Sequence, residues 1–220
     1  MSALTIELVN ASFEYAIAAA AVEPGGERQD GVPVIVSAGR LADAKNWPLF
    51  VDALARLAVT QPFRAVVLGQ GEREAEIRRR LADAGLTSRV ELLGFQSNPW
   101  KFMARADVFL LTSRYEGFGN VLIEAMACGV PLIATTGGAL PEVVGPDGDA
   151  ARTVAPGDAD ALARIILELL DDPDQRARLG AAGRDRARTR FTWAACADGL
   201  VDAYRALLDA YPDGGRARPC

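Results

Sequence analysis

Residues 107–134 read DVFLLTSRYEGFGNVLIEAMACGVPLIA, a sequence with the pattern strand, loop, helix, strand. Asp107–Leu111 is a short run with four apolar residues after the aspartate, which is typical of a buried strand of a parallel sheet. Gly119–Cys128 is predicted to form a helix and Val130–Ala134 the next strand. Two strands that are joined through a helix form a β-α-β unit, and this unit predicts a parallel sheet.

The same alternation of apolar runs and helical patterns continues on both sides of this unit. Further strands are predicted at Pro33–Ser37, Arg64–Leu68, Arg89–Leu93 and Arg152–Val154, and helices at Asn46–Val59, Glu72–Ala84, Pro99–Ala104, Asp158–Leu170, Pro173–Arg190 and Thr192–Ala210. The alternation predicts an α/β fold with a doubly wound, mostly parallel, Rossmann-like sheet in one domain at residues 32–210. Residues 1–31 are predicted to be a leading segment that is partly loop, and residues 211–220 a flexible tail.

The composition of the 220-residue chain argues against several kinds of catalytic site, metal site and partner. It has no histidine, which excludes a Ser-His-Asp triad and histidine metal ligands within this chain. The three cysteines, Cys128, Cys196 and Cys220, lie far apart, so we expect no zinc site, and their number is typical of the reducing cytoplasm. The net charge of -5 argues against a nucleic-acid partner. The apolar run Tyr15–Val22 is too short to span a bilayer.

Ligands of such sheets bind at the carboxyl ends of the strands, close to the point where the strand order reverses. After the first predicted strand, Gly39 is followed by Arg40 and Lys45 just before a helix, which favours an anion site. Two solvated cations in an ordinary loop are the alternative. Gly69-x-Gly71 follows the next strand, and there a tight turn is favoured over a ligand contact.

Two carboxylates follow the strand that ends near Thr112. Glu116 lies in the loop and Glu124 on the next helix, roughly 7 Å further along at about 1.5 Å per residue. The free N–H groups at the start of that helix favour phosphate, and the carboxylates favour the hydroxyls of a polyhydroxylated ligand. A glycoside hydrolase also uses paired carboxylates, although it needs no phosphate site. A solvated loop acid and a helix-surface glutamate are the alternative, which the residues alone leave open.

Residues 116–120 together with residues 124–131 resemble the E-x7-E signature of glycosyltransferase family 4, whose members have the GT-B fold of two Rossmann-like domains facing a cleft. The other matching motifs, in order, are Gly39-Arg40-Leu41 with Lys45-Asn46, Gly69-x-Gly71, Leu93-Gly94-Phe95, Ala106-Asp107-Val108 and Gly137-Gly138 with Pro141-Glu142. The resemblance covers about residues 32–190. It implies that the chain is the C-terminal, donor-binding domain of such an enzyme.

The resemblance implies a retaining transfer of a sugar from a UDP- or GDP-linked donor to a glycan or lipid-linked acceptor, with no metal or other cofactor. It assigns catalytic roles to Glu116, on the donor sugar, and to Arg40 and Lys45, on the donor diphosphate. The implied donor-binding residues are Gly39, Phe95 near the base, Gly117, Phe118, Gly119 and Asn120 near the sugar and its phosphate, and Glu124 on the ribose hydroxyls.

One half of such an enzyme has no counterpart in this sequence. Members of the family have an N-terminal domain that holds the acceptor, and residues 1–30 are too short to form it. We therefore expect the chain to need an acceptor domain or a partner subunit. A non-catalytic nucleotide-sugar-binding or assembly module is the alternative, and an epimerase or phosphorylase with the GT-B fold is a third interpretation.

The helix predicted at Pro173–Arg190 is rich in arginine. From Arg176 to Arg190 there are six arginines and one acid, Asp185. Such a helix can contact anionic lipid at the inner face of the membrane, but a solvated face with local salt bridges is favoured. Packing roles are predicted for Trp47, Trp100, Trp193 and Cys128.

Overall fold

The computed structural model describes residues 31–210, which contain a six-stranded sheet of order β3-β2-β1-β4-β5-β6. Every neighbouring pair of strands is parallel. The strands are β1 Val34–Ala38, β2 Arg64–Leu68, β3 Val90–Gly94, β4 Val108–Leu111, β5 Leu132–Thr135 and β6 Arg152–Val154. The predicted parallel sheet is confirmed.

Helices cover both faces of this sheet. They are α1 Trp47–Leu57, α2 Glu74–Asp83, α3 Trp100–Met103, α4 Asn120–Cys128, α5 Leu140–Val144, α6 Ala159–Asp171, α7 Pro173–Arg190 and α8 Trp193–Ala210. The buried side chains of α1, α2 and α6 form one core cluster with the sheet, and those of α3, α4 and α5 form a second on the opposite face. The predicted doubly wound α/β fold is therefore confirmed.

Local sequence explains why α6 begins and packs as it does. The Asp158 carboxylate accepts a hydrogen bond from the backbone N–H of Ala161 at 2.8 Å, which caps the first turn. Leu162, Ile166 and Leu169 then recur at helical spacing and are fully buried. Tertiary packing of this apolar stripe stabilises the helix.

The strand order reverses between β1 and β4, where the following loops leave toward opposite faces of the sheet. The two loops are joined by hydrogen bonds. The backbone N–H of Arg114 donates to the Ala44 carbonyl at 2.8 Å, and the Thr112 hydroxyl donates to the Lys45 carbonyl at 2.9 Å. The crevice at this edge of the sheet therefore has a defined shape.

Two short elements were not predicted from the sequence. One is a 3₁₀ turn at Asp43–Lys45, and the other is α5 at Leu140–Val144. Asn46 has the predicted N-cap position of α1, but with a left-handed φ of 52° and without a capping side-chain bond. The predicted leading segment, apart from Gly31, and the predicted tail lie outside the described residues, so the domain limits stay predictions.

Four of the six α7 arginines bind backbone carbonyls, contrary to a plain solvated face. Arg176 donates to the carbonyls of Leu169 and Leu170 at the end of α6, and Arg184 donates to the carbonyl of Cys128 at the end of α4. The other two, Arg178 and Arg186, donate to the carbonyls of Gly148, Val143 and Glu142. Because the last carbonyls of a helix have no partner within it, the contacts of Arg176, Arg184 and Arg186 cap helix ends. The Gly148 carbonyl, which Arg178 binds, lies in the loop after α5.

The remaining predictions for this surface have mixed outcomes. Trp47, Trp100 and Cys128 are buried as predicted, whereas Trp193, at the start of α8, is 41% exposed, and its predicted packing role stays a prediction. Within residues 31–210, no helix is long and apolar enough to cross a membrane. The lipid contact of the arginine-rich helix stays a prediction.

Candidate functional site

A cavity of about 750 Å³ opens at the carboxyl ends of β1, β2 and β3. It brings together three residues that the sequence predicted for the site, Gly39, Arg40 and Phe95. The full lining consists of Ala38, Gly39, Arg40, Leu68, Gly69, Gln70, Gly71, Glu72, Phe95, Gln96 and Pro99. The Phe95 side chain is 72% exposed, so its ring is available to a flat ligand group that enters the cavity.

The glycines of this cavity allow its loops to approach one another closely. A Cβ on Gly69 would lie 2.0 Å from the Gly39 carbonyl oxygen, and one on Gly71 would lie 2.5 Å from the Leu41 carbonyl oxygen. No side chain fits at such distances. The glycines are therefore needed for this close approach, and because Gly69 and Gly71 also line the cavity, both the favoured tight turn and the ligand contact stay predictions.

Lys45 and Glu116 form an ion pair across the crevice between the loops that follow β1 and β4. Their side chains are only 18% and 16% exposed. The Lys45 chain passes over Gly39, since a Cβ at that position would lie 2.9 Å from Lys45 Cε. The sequence placed Lys45 and Glu116 in one site, but it did not predict that they contact each other.

Glu116 has a second donor that the sequence analysis missed. The Ser113 hydroxyl donates to Glu116 Oε1 at 2.6 Å, and this oxygen is also the one that the Lys45 ammonium binds. Ser113 is fully buried at the end of β4. Its only signal in the sequence is a hydroxyl residue three positions before the loop carboxylate.

Arg40 is arranged differently from Lys45. Its guanidinium lies 3.2 Å from the Glu72 carboxylate, and the two side chains are 73% and 54% exposed. An exposed pair of this kind contributes little to stability, so a ligand can displace it at low cost. The predicted pair of cations is therefore one buried ammonium and one solvent-exposed guanidinium, each beside an acid.

The loop before α4 offers open backbone at the predicted positions 117–120. α4 begins at Asn120, and its N-cap, Gly119, has a φ of 74° and provides no side-chain acceptor. A Cβ on Gly117 would meet nothing within 4 Å. Phe118 is held by an edge-to-face contact with Phe191, at 5.8 Å between ring centroids. A ligand can therefore approach the backbone at Gly117, where the protein itself leaves space.

Glu124 lies apart from the cavity lining. Burial raises the pKa of this carboxyl to about 7, while the Trp100 side chain acts in the opposite direction. The sequence assigned Trp100 to packing alone and missed its effect on Glu124. Burial also raises the pKa of the Cys128 thiol to about 12, consistent with the predicted core thiol.

The acidic residues do not gather around a common point. Over residues 31–210, no group of three or more histidine, cysteine, aspartate or glutamate side chains could hold a metal ion. The chemistry that this arrangement supports is binding of an anion by cations and backbone N–H groups, beside carboxylates that can accept hydrogen bonds from hydroxyls.

The family model for glycosyl transferases group 1 matches residues 23–186. The chain belongs to this family. The matched range includes the cavity, the Lys45–Glu116 pair, the loop before α4 and Glu124, so the whole candidate site lies within the group 1 match.

Two curated proteins and one solved structure illustrate the similarity. The MMP alpha-(1->4)-mannosyltransferase of Mycolicibacterium hassiacum is 38% identical over 80% of this chain and 43% of its own length. A GDP-mannose-dependent phosphatidylinositol monomannoside mannosyltransferase of Corynebacterium glutamicum is 35% identical over 74% of this chain and 45% of its own length. The crystal structure of Anabaena Alr3699/HepE with UDP-glucose has a TM-score of 0.71 and 26% identity, covering 89% of this chain and 53% of that one.

In all three comparisons, the similarity covers a larger share of this chain than of the other protein. Most of this chain is matched, but the chain spans only about half the length of the proteins that it matches. The remaining half of each relative has no counterpart among the matched residues.

Proposed function

We propose that the chain is the donor-binding half of a retaining glycosyltransferase of family 4, which moves a sugar from a UDP- or GDP-linked donor to a glycan or lipid-linked acceptor. The observation that carries this proposal is the Lys45–Glu116 pair, which lies where the strand order reverses in a group 1 chain. A cation for the diphosphate and a carboxylate for the sugar are thus adjacent.

Each part of a nucleoside-diphosphate sugar has a suitable partner at this edge of the sheet. The cavity beside Phe95 takes the base, and Glu124 accepts hydrogen bonds from the ribose hydroxyls. Arg40 and Lys45 neutralise the diphosphate, and the backbone at Gly117 lies against the sugar phosphate. The similarity to the HepE structure with UDP-glucose supports this assignment, while the GDP-mannose-dependent relative keeps guanosine as the other base.

In the proposed transfer, the diphosphate is the leaving group, and its developing negative charge has to be stabilised. Two cations and the N-terminus of α4 stabilise the negative charge that develops on it, which lowers the barrier to an oxocarbenium-like transition state. Glu116 accepts a hydrogen bond from a sugar hydroxyl and orients the donor. We propose that no metal takes part, that the transfer occurs in the cytoplasm, and that a lipid-linked acceptor is reached at the inner face of the membrane.

The acceptor is assigned to a second domain or a partner subunit, because the chain spans only about half of its relatives. The same observation supports the second candidate function, a nucleotide-sugar-binding or assembly module without catalysis. Sugar transfer by the chain together with an acceptor half, lost in Glu116→Ala, distinguishes the first function from the second.

Isothermal titration of the chain with UDP and with GDP, without added metal, tests the donor site. We expect saturable binding of one nucleotide and at least a tenfold loss of affinity in Glu124→Ala. Asp83→Ala, which removes an exposed carboxylate at the end of α2, is the matched control and should bind like the wild type. Failure of both nucleotides to bind, even with an acceptor half added, would contradict the proposal.

A further inference from the structure

The Glu116 carboxylate accepts hydrogen bonds from the protein through only one of its two oxygens among the described residues. The Lys45 ammonium and the Ser113 hydroxyl both donate to Oε1, and within residues 31–210 no hydrogen bond reaches Oε2. A carboxylate can accept hydrogen bonds on both oxygens, so Oε2 keeps its full capacity for a ligand hydroxyl.

We propose that Ser113 is a positioning residue, which holds Glu116 through Oε1 so that Oε2 is presented to the donor sugar. This inference rests on the proposed function, in which Glu116 binds that sugar. The 2.6 Å separation is typical of a hydroxyl that donates to a charged oxygen, and such bonds are stronger than neutral ones.

The backbone of Ser113 is itself fixed. Its carbonyl accepts a hydrogen bond from the hydroxyl of Thr135 at the end of β5, and its side chain is fully buried. The hydroxyl therefore extends from a rigid strand end and not from a mobile loop. Glu116 lies in the loop three residues later, and its direction depends on what binds it.

Ser113 and Lys45 differ in the number of hydrogen bonds that their side chains can donate. An ammonium has three N–H donors, so Lys45 can bind Glu116 and a phosphate oxygen together. A serine hydroxyl has one O–H donor, and Ser113 uses it on Glu116. When a diphosphate attracts Lys45, Ser113 remains as the donor that keeps the carboxylate in place.

The test compares nucleotides with nucleotide sugars by calorimetric titration of UDP, GDP, UDP-glucose and GDP-mannose. Ser113→Ala should lower the affinity for the nucleotide sugar about tenfold and change the affinity for its parent nucleotide less than twofold. Ser113→Thr, which keeps the hydroxyl, should restore the affinity for the sugar. In a Glu116→Gln background, Ser113→Ala should have no further effect.

Ser37→Ala is the matched control, because it removes a buried serine hydroxyl on β1 that makes no hydrogen bond to Glu116 or Ser113. It should lower the free energy of unfolding without a loss specific to the nucleotide sugar. An equal loss for nucleotide and nucleotide sugar in Ser113→Ala, or a loss that adds to that of Glu116→Gln, would overturn the inference while leaving the donor site intact. A wild-type chain that binds no nucleotide would overturn both.

Discussion

The Lys45 ammonium and the Glu116 carboxylate form an ion pair although 71 residues separate them in the chain. They meet because β1 and β4 are neighbours in the sheet and the loops that follow them share one crevice. Both side chains are largely buried, so dissolved salt screens this pair less than a surface pair. The pair is therefore a buried feature of the proposed donor site.

Removing the cation of this pair tests its role toward the diphosphate. Lys45→Met should lower the affinity for the bound nucleotide at least tenfold, because it removes a positive charge and leaves the Glu116 carboxylate uncompensated. Calorimetric titration measures the loss. Lys101→Met, which changes the other lysine of the chain, is the control for net charge and should bind normally. Equal affinities of the two variants would remove Lys45 from the site.

Substitutions at two glycines test ligand contact and folding independently. Gly117→Ala should fold normally, since its Cβ would meet nothing within 4 Å, but it should weaken nucleotide-sugar binding if the ligand approaches there. Gly138→Ala should lower the free energy of unfolding by about 2 kcal/mol or more, since its Cβ would lie 2.4 Å from the Glu116 carbonyl oxygen at a left-handed φ. Urea denaturation and titration distinguish the two effects. Unchanged binding by Gly117→Ala would place the ligand elsewhere.

The raised pKa of Glu124 makes stability depend on pH. The folded carboxyl titrates at about 7 and the ordinary group at 4.5, so the folded chain binds more protons between these values. The free energy of unfolding therefore falls as pH rises from 4.5 to 7, by about 3 kcal/mol at most.

Glu124→Gln removes the titrating group and keeps the length of the side chain. It should be more stable than the wild type at about pH 8 and equal to it near pH 4.5, as measured by urea denaturation at both values. Glu142→Gln, at an exposed position, should show no such difference. A wild-type stability that does not fall over this range would mean that Glu124 titrates normally.

The arginine caps predict unequal effects along α7. Arg184→Met should lower the free energy of unfolding by about 1–2 kcal/mol, because it removes the donor to the Cys128 carbonyl at 2.8 Å. Arg188→Met changes an exposed arginine on the same helix and should have little effect. Thermal and urea unfolding of both variants check the difference. If Arg184→Met and Arg188→Met have equal free energies of unfolding, the arginines of α7 form a solvated face and not helix caps.

Local patterns accounted for most of the fold. β1, β4 and β5 are short, mostly apolar runs buried on both faces, and α6 has a cap and an apolar stripe at helical spacing. α5 escaped prediction because it has only five residues, with Pro141 in its first turn and glycines nearby. A helix that short has too few turns to show a period.

The sequence predicted candidate site residues but not the contacts among them. The motif order assigns Arg40, Lys45, Glu116 and Glu124 to one edge of the sheet. The structure joins Lys45 to Glu116 and places Arg40 at the cavity, whereas the role of Glu124 stays a prediction. The hydrogen bond from Ser113 to Glu116 and the effect of Trp100 on the pKa of Glu124 needed the structure, because a serine or a tryptophan at either position is equally compatible with simple packing.

The sequence alone was sufficient for the α/β class, the succession of strands and helices and the identity of the loops at the carboxyl edge, because backbone periodicity and apolar run length are local properties. The strand order, the Lys45–Glu116 pair, the burial of Glu124 and the capping of helix ends by α7 were decided by tertiary structure. Each of these joins residues far apart in the chain, and such contacts exist only once the sheet has placed β1 beside β4 and the helices on its two faces.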